Sequence, residues 1–163
     1  MTLRRADTSD AEALSLVGAA TFLESYALSL PGRAIVEHCP KAHAVDVYAA
    51  WLTDSRCAVW VAVVGDGTVV GFAVLTPCDL PDVQDDDLEL RRIYLLSRFQ
   101  GGGTGRAMVQ AAAQEAKVRG AKRLVLGVYG ENERAQSFYR HLGFERIGRR
   151  DFVVGPKVCL DYV

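Results

Sequence analysis

Gln100-Gly101-Gly102-Gly103-Thr104-Gly105 lies where the pattern of the chain changes from strand to helix. Residues 88–95 before it are predicted to form a strand, and the alanine-rich residues 106–119 after it a helix that ends at Gly120. Glycines at such a turn leave backbone N–H groups unhindered, and the helix dipole favours negative charge there. The stretch is therefore a candidate site for a phosphate or pyrophosphate, with a plain surface turn as the alternative for a glycine cluster alone.

Two common nucleotide-binding motifs do not fit this glycine turn. A dinucleotide fingerprint, G-x-G-x-x-G, would need a third glycine at Arg106 or at Met108, depending on which pair of glycines opens it. A Walker A loop needs Gly-Lys-Ser or Gly-Lys-Thr, which the chain lacks. A phosphate ligand of this turn must therefore belong to another class.

The residues before the turn predict a short strand, two helices and a hairpin. Ser9 and Glu12 have the Ser-x-x-Glu form of a capping box, which opens a helix that runs to Tyr26. Pro31-Gly32 and Pro40 make the following stretch irregular. The other elements expected here are a strand at residues 3–6, a weaker helix at residues 44–52, and strands at residues 57–64 and 68–75 joined by Gly65-Asp66-Gly67.

The residues after the turn alternate between strand and helix. The expected elements are a strand at residues 124–128, a helix at residues 132–142 ended by Gly143, and strands at residues 144–147 and 157–162. A three-strand meander that leads into strand-helix-strand-helix indicates an α/β fold, with one mixed sheet and helices on its faces. The 163 residues, without repeat or linker, indicate a single domain, residues 1–163.

Composition excludes several classes of protein. A formal net charge of −1 disfavours a generic nucleic-acid binder, and no apolar run is long enough to span a membrane. The N-terminal residues lack a secretory apolar core, which favours a cytoplasmic location. Four scattered cysteines indicate reduced thiols, and His38-Cys39 with His43 lacks the further ligands of a metal site, so no metal is expected.

Two motifs identify a family. Gln100, Gly103 and Gly105 match the acyl-CoA motif Gln/Arg-x-x-Gly-x-Gly/Ala. Residues 126–144 add a strand, an Asn-x-x-Ala-x-x-Phe-Tyr helix and a closing Leu-Gly-Phe. Over residues 58–147 the chain resembles the GCN5-related N-acetyltransferase (GNAT) family. The resemblance implies the acyl-CoA N-acyltransferase fold, a mixed, mostly antiparallel sheet with a splayed parallel strand pair and flanking helices. It also implies transfer of the acetyl group of acetyl-CoA to an amine.

The same resemblance implies which residues hold the donor. Main-chain groups of Ile93 and Leu95 are expected to pair with the pantetheine arm. The other expected contacts with acetyl-CoA are Gln100, Gly101, Gly102, Gly103, Thr104, Gly105, Arg106, Asn132, Ser137 and Tyr139. Tyr139 occupies the position whose hydroxyl protonates or stabilises the departing thiolate, whereas packing of Phe138 and Tyr139 on the sheet is the plain structural alternative. Asn132 has a second role open to it, as a helix cap.

Glu89 is the candidate base that removes a proton from the amine. It lies on the strand before the glycine turn, where histone-type members of the family carry a glutamate. Strict alternation along this strand places Glu89, Arg91, Ile93 and Leu95 on one face and Leu88, Leu90, Arg92 and Tyr94 on the other. The alternatives are a surface ion pair with Arg91 or Arg92, or a reaction without a side-chain base.

The acceptor is expected to be a small cationic amine. Aspartates concentrate before the strand at Asp79, Asp82, Asp85, Asp86 and Asp87, where they would attract a cation, with a solvated loop as the alternative. Residues 21–26 and 126–135 look like the bacterial spermidine/spermine N-acetyltransferase branch, which makes Glu24 and Tyr26 acceptor-side candidates. The rival functions are a protein N-terminal or lysine acetyltransferase and a non-catalytic CoA-binding module. The sequence does not decide whether the protein forms a homodimer.

Overall fold

The main sheet of the computed structural model has five strands in chain order. The structure describes residues 1–154 and 157–163. The strands are β1 (Thr2–Arg5), β2 (Ala58–Val64), β3 (Thr68–Pro77), β4 (Leu88–Leu95) and β5 (Leu124–Val125). Neighbours are antiparallel except β4 and β5, which are parallel. The mixed, mostly antiparallel sheet expected for the acyltransferase fold is confirmed.

A second sheet follows at the C-terminal end. Its three strands are β6 (Val128–Tyr129), β7 (Arg149–Val154) and β8 (Lys157–Tyr162), in the order β6-β8-β7. The expectation of one continuous sheet was therefore wrong. Leu126 and Gly127 interrupt the strand that was predicted at residues 124–128, so β5 pairs with β4 while β6 pairs with β8.

Five α-helices cover the sheets in the described part of the chain. They are α1 (Ala11–Tyr26), α2 (Gly32–Ala42), α3 (Val45–Thr53), α4 (Thr104–Val118) and α5 (Glu133–His141). One apolar core lies between the main sheet and α4 and α5, and it includes Met108 and Phe138. Another lies between the opposite face and α1 and α3, and α2 packs on the second sheet through Ala34 and Ile35. The sheet is thus buried on both faces, which makes its strands almost continuously apolar.

A β-bulge changes the faces of β4. Val74 and Leu75 of β3 oppose Arg92 and Leu90, which leaves Arg91 as the extra residue. An extra residue reverses the alternation beyond it. Leu90 and Ile93 therefore both pack on the α4 side, whereas Tyr94 packs with the α1 core. The alternation predicted for Glu89 and Ile93 was wrong, because Glu89 points to the face opposite Leu90, and Ile93 to the same face as Leu90.

The parallel pair separates after two residues. Leu88 pairs with Leu124 and Glu89 with Val125, and β5 then leaves β4. From Leu90 onward this edge of β4 has no strand beside it in the described part of the chain. The splayed pair implied by the family resemblance is present, and it leaves main-chain hydrogen-bonding groups unpaired along one side of a half-buried strand.

Three other predictions from the local sequence pattern were wrong. The stretch expected to be irregular contains α2, because burial of its apolar face outweighs the one backbone hydrogen bond lost at Pro40 in its last turn. Residues 143–148, expected to include a strand, form a loop fastened to Val163. The N-terminal capping box uses Asp7 and Asp10 instead of Ser9 and Glu12. Within residues 1–154 and 157–163, no helix combines the length and apolarity needed to span a bilayer.

Candidate functional site

The glycine turn begins α4 in a conformation that suits an anion. Gly101 and Gly103 have φ angles of +88° and +83°, which L-residues with side chains rarely adopt, and Gly103 is the N-cap residue. A Cβ atom at Gly102 would project into open space, although its φ angle is not positive. A cavity of about 280 Å³ borders this turn. Free N–H groups at the helix start, reached through open space, can receive a pyrophosphate.

Other expected donor contacts surround the same helix start. Arg106 is exposed in the first turn of α4, and a Cβ atom at Gly105 would lie 3.4 Å from Phe138 Cζ, an ordinary contact between α4 and α5. Asn132 Oδ1 accepts from the N–H of Ala135 at 3.0 Å and so caps α5. Ser137 lies on α5 one residue before Phe138. Capping explains Asn132 by itself, and contact with a ligand is an additional role.

The open edge of β4 presents main-chain groups in alternation. The N–H of Leu96 donates to Val70 O at 3.0 Å, on the β3 side. Successive residues of a strand direct these groups to opposite sides, so those of Leu95 and Ile93 face the gap left by β5. The side chain of Gln100 donates to Leu95 O at 2.8 Å, which ties the glycine turn to this edge. The edge and the turn therefore form one continuous surface.

Tyr139 lies on α5 among aromatic rings, with ring centroids 5.2 Å from Phe138 and 5.6 Å from Phe144. Its hydroxyl has no hydrogen-bond partner in the described part of the chain, and the side chain borders a cavity of about 910 Å³. Burial, and less strongly the nearby Tyr94, raise the pKa of its phenol. The phenol thus keeps its proton and has a hydroxyl free for a ligand, so it can act as a proton donor.

Glu89 is almost fully buried, at 2% exposure, on the face of β4 opposite Leu90. Arg91 Nη1 donates to Glu89 Oε2 at 3.0 Å and to Asp79 Oδ1 at 2.7 Å. Burial is the main cause that raises the pKa of Glu89, and Asp79 adds to it, whereas Arg91 opposes it. A carboxylate with a raised pKa is better matched to removing a proton near neutral pH than an ordinary one.

Arg92 is a half-buried residue that links three helices and strands by hydrogen bonds, and sequence reasoning did not identify it. Its Nη1 donates to Tyr48 Oη at 2.8 Å and its Nη2 to Ala42 O at 2.6 Å. The guanidinium also lies 4.8 Å above the ring of Trp51. Burial first, then the charge of Arg92, lower the pKa of His43 to about 3. These contacts hold the junction of α2 and α3 against β4, which shapes the side of the sheet opposite α4.

Most of the aspartate run is already paired. Asp79 contacts Arg91, Asp86 contacts Lys122 at 2.6 Å, and Asp87 contacts Arg123. Asp87 is buried, and it also accepts from the N–H of Gln84 at 2.8 Å. The loop is therefore held by its ion pairs to the residues before β5. Asp82 and Asp85 have no ion-pair partner among the described residues.

Two acceptor-side candidates lie on α1. Glu24 accepts from the N–H of Ser97 at 3.0 Å and from its hydroxyl at 3.1 Å, just beyond β4. Tyr26 packs with its ring centroid 4.5 Å from Phe22 and 5.7 Å from Tyr129. Burial raises the pKa of Tyr26, and Tyr94 and Asp161 add to the effect. The end of α1 thus lies near both β4 and the second sheet.

The buried Asp161 and the half-buried Arg150 form a second ion pair, which sequence reasoning missed. Arg150 Nε lies 3.2 Å from Asp161 Oδ2, and Asp161 is 5% exposed. The polar and apolar alternation along β8 does not reveal this ion pair, because the apolar Val158 and Leu160 are exposed and Asp161 is buried. The usual rule that apolar residues face inward predicts the wrong face here.

Comparison with known proteins agrees with this geometry. The model of the acetyltransferase (GNAT) family matches residues 20–144. An uncharacterised N-acetyltransferase of Mycobacterium tuberculosis is 38% identical over 160 residues, which cover 94% of this chain and 95% of that protein. Human N-acetylaspartate synthetase is 30% identical over 128 residues, which cover 78% of this chain and 41% of that protein.

A solved structure shares the fold at low sequence identity. The PaiA N-acetyltransferase from Thermoplasma acidophilum, solved in complex with coenzyme A, superposes with a TM-score of 0.77 and 19% identity, covering 99% of this chain and 96% of that one. The glycine turn, the splayed strands and the family match over most of the chain lead to one conclusion. This chain belongs to the acetyltransferase (GNAT) family and is an acetyl-CoA-dependent N-acetyltransferase.

Proposed function

We propose that this enzyme transfers the acetyl group of acetyl-CoA directly to a primary amine of a small cationic acceptor, without a covalent enzyme intermediate. The observation that carries the proposal is the open edge of β4, which begins beside Glu89 and ends at the glycine turn. Tyr139 approaches this region from α5, and carboxylates lie on the α1 side. Catalysis then consists mainly of positioning and charge stabilisation.

The residues present fit the donor. The N–H groups of Gly101 to Arg106 receive the pyrophosphate at the start of α4. Main-chain groups of Ile93 and Leu95 pair with the amide groups of the pantetheine arm, as an added strand would. Bound acetyl-CoA supplies the activated acetyl group. Asn132 and Ser137, at the start and middle of α5, complete the cofactor-binding side.

Tyr139 is proposed to donate a proton to, or hydrogen-bond with, the sulfur that leaves. Burial keeps the phenol protonated, and its hydroxyl has no competing partner among residues 1–154 and 157–163. A thiol titrates near ~8.5, so a phenol that holds its proton more tightly stabilises the thiolate chiefly as a hydrogen-bond donor. The free hydroxyl supports this role over simple packing.

Glu89 is proposed as the group that accepts the amine's proton. An alkyl ammonium titrates near ~10.4 and is almost wholly protonated at neutral pH, so a base is needed before attack. The buried carboxyl group of Glu89, with its raised pKa, is suited to the task. Its position on the α1 face of β4, which the bulge creates, supports contact through the acceptor side or through one water.

A cationic acceptor is supported by carboxylates near the open edge. Glu24 of α1, which contacts Ser97 just after β4, has no cationic partner among the described residues. Glu89 and Asp79 share the single guanidinium of Arg91. Residues 21–26 and 126–135 also look like the spermidine/spermine branch of the family. The aspartate run contributes less to this argument, because Asp86 and Asp87 are neutralised by Lys122 and Arg123.

An acceptor that also bears a carboxylate is the second candidate. It is favoured by the 30% identity to human N-acetylaspartate synthetase, whose name describes an N-acetylated amino acid as its product. Arg92 and Arg150 on the α1 side of the sheets are cations that could meet such a group. Peptide N-termini and lysines form the third class to be tested.

A thiol-release assay with acetyl-CoA tests the proposal. The acceptor panel contains polyamines, amino acids, aminoglycosides and N-terminal peptides. Highest kcat/KM with polyamines is the expected result, and highest values with amino acids or peptides would replace the cationic acceptor by the corresponding class. Acetyl-CoA binding by calorimetry without thiol release across the panel would instead indicate a non-catalytic CoA-binding module.

A further inference from the structure

Asp161 presents one carboxylate oxygen without a protein partner. Arg150, directly opposite it in the β7–β8 pairing, contacts only Oδ2, through Nε at 3.2 Å. Oδ1 has no hydrogen-bond partner within residues 1–154 and 157–163, yet it is not sealed, because in that part of the chain only Tyr129 Oη is both sealed and unpartnered. A buried carboxylate therefore has one oxygen that is unpartnered and not fully shielded from solvent.

Asp161 lies on the acceptor side of the sheets. Cys159 and Asp161 are the buried residues of β8, and they face the core that α1 and α2 cover. Asp161 is close enough to Tyr26 on α1 and to Tyr94 on β4 to raise the pKa of both. With Arg150 on β7, residues from three other elements thus lie near this carboxylate.

Arg150 connects the pair to the point where β5 leaves β4. A Cβ atom at Gly127 would lie 2.8 Å from Arg150 Nη2, so the guanidinium packs on the backbone of the strand break. Arg150 also acts on Glu89, whose pKa it lowers slightly against the larger effect of burial. Arg150 therefore contacts both Asp161 and the strand break, and its charge reaches Glu89.

Asp161 and Tyr129 each have a side-chain oxygen without a hydrogen-bond partner among the described residues. Tyr129 is paired directly with Asp161 across β6 and β8, so the two side chains share a face. Its hydroxyl is sealed and has no partner in the described residues. Burial is the main cause that raises the pKa of Asp161, and Arg150 only partly opposes it. The sealed hydroxyl of Tyr129 is out of reach of a ligand, so only the unpartnered oxygen of Asp161 is left for a group that donates hydrogen bonds.

We propose that Asp161 binds a second cationic group of the acceptor, which makes the acceptor a diamine or polyamine and Asp161 a specificity-determining residue. This inference rests on the proposed function and narrows its substrate class. An ammonium supplies three donors and a positive charge to Oδ1, while the other amine of the same molecule reaches the acetyl group near the splay. Arg150 holds the carboxylate in place through Oδ2.

The test compares kcat/KM for 1,4-diaminobutane and for butylamine, which differ by one amine. The wild type should prefer the diamine, and Asp161→Asn should lower that preference at least about tenfold, the range for hydrogen bonds to charged groups. Asp151→Asn is the matched control, since Asp151 is exposed on β7, one residue from Arg150 and on its opposite face. It should keep the wild-type preference.

Folding and binding are measured separately. Asp161→Glu keeps the charge and should retain most of the diamine preference even where Asp161→Asn unfolds, as melting temperatures will show. Calorimetry of 1,4-diaminobutane added to protein saturated with CoA measures binding without catalysis. The wild type should bind more tightly than Asp161→Asn.

The outcomes separate this inference from the proposed function. Equal diamine preference or equal diamine binding in wild type and Asp161→Asn would overturn the role of Asp161, even with thiol release from other amines. An equal loss in Asp151→Asn, or a wild type that does not prefer the diamine, would overturn it as well. Asp161-dependent diamine binding without thiol release would retain the site and contradict the transfer reaction to such an acceptor.

Discussion

Arg91, a single extra residue, sets the chemistry on both faces of β4. Without the bulge, Glu89 would share a face with Ile93 and would point into the apolar core under α4. With it, Glu89 lies on the α1 side, while Ile93 and Leu95 keep their side chains in the core. Arg91 also pairs with both Glu89 and Asp79. Arg91, which breaks the alternation, therefore also pairs with the carboxylate of Glu89 that is buried beside the bulge.

Tyr139→Phe should lower kcat by ~10²–10⁴-fold and leave acetyl-CoA affinity nearly unchanged, because the hydroxyl acts mainly as charge develops on sulfur. Steady-state kinetics and calorimetry with acetyl-CoA measure the two quantities. Tyr162→Phe, which removes a hydroxyl beside the same 910 Å³ cavity, is the control and should keep wild-type kcat. Wild-type kcat in Tyr139→Phe would return Tyr139 to a packing role.

Glu89→Gln should change the pH profile of kcat/KM. Burial raises the pKa of Glu89, so wild-type activity should fall as the pH falls through this raised value and the base becomes protonated. The glutamine variant should lose most activity near neutral pH and regain part of it at high pH, where more amine is neutral. Glu133→Gln, an exposed change on α5, should follow the wild-type profile. Identical profiles for Glu89→Gln and wild type would exclude Glu89 as the base.

At the scale of elements, the start of α4 and the edge of β4 work as a unit. Gln100 links them through Leu95 O, and the positive φ angles of Gly101 and Gly103 turn the chain from strand to helix within a few residues. The same turn leaves the first N–H groups of α4 free for an anion. Positions with positive φ are poor sites for a test, because any side chain there adds strain.

Gly102→Glu should abolish the stabilisation by acetyl-CoA. Gly102 lacks a positive φ angle, and its Cβ would meet only open space, so the substitution adds negative charge and bulk with little strain. A ligand at ~100 times its dissociation constant adds about 2.7 kcal/mol to the free energy of unfolding. Melting temperatures with and without acetyl-CoA measure the effect. Gly102→Ala is the control and should retain most of the rise in melting temperature that acetyl-CoA causes. An unchanged rise in Gly102→Glu would show that the phosphates bind elsewhere.

At the scale of the whole molecule, His43 joins elements from both halves of the chain. Its ring Nδ1 lies 2.7 Å from Tyr48 Oη on α3 and 3.3 Å from Arg92 Nη1 on β4. Its main-chain carbonyl accepts a hydrogen bond from the hydroxyl of Ser15 on α1. The junction positions α1 and α2 over the open edge of β4. The acceptor side of the enzyme is therefore assembled by contacts between residues that are distant in the sequence.

His43 should make stability depend on pH. Burial and Arg92 lower the pKa of His43 to about 3, from 6.5 in an unfolded chain. Between these values the unfolded chain binds the proton more readily, so the free energy of unfolding should fall as the pH falls from 6.5 toward 3, by about 2 kcal/mol at pH 5 relative to pH 8. Urea titrations from pH 4 to 8 measure it. His43→Gln should flatten this dependence relative to exposed His141→Gln, and parallel curves would contradict the assignment.

The sequence by itself determined the features that depend on local pattern. The bounds of β4 and β8, the Gly65–Gly67 hairpin, the glycine turn and the helix that carries Tyr139 follow from period, glycine placement and caps within a few residues. The family, and with it the donor, followed from motifs on these local elements. Such patterns suffice because strand alternation and helix caps are decided by neighbouring residues.

Only the tertiary structure decided where these elements meet. The bulge at Arg91 depends on how β3 pairs with β4. The break at Gly127 arises because the residues before it pair with β4 and the residues after it pair with β8. Helix α2 depends on the apolar surface that it covers. Asp161 is buried because β8 turns its apolar Leu160 outward, which no local rule predicts. The acceptor side is built from such long-range contacts, and their energies come from burial and pairing between distant segments rather than from local pattern.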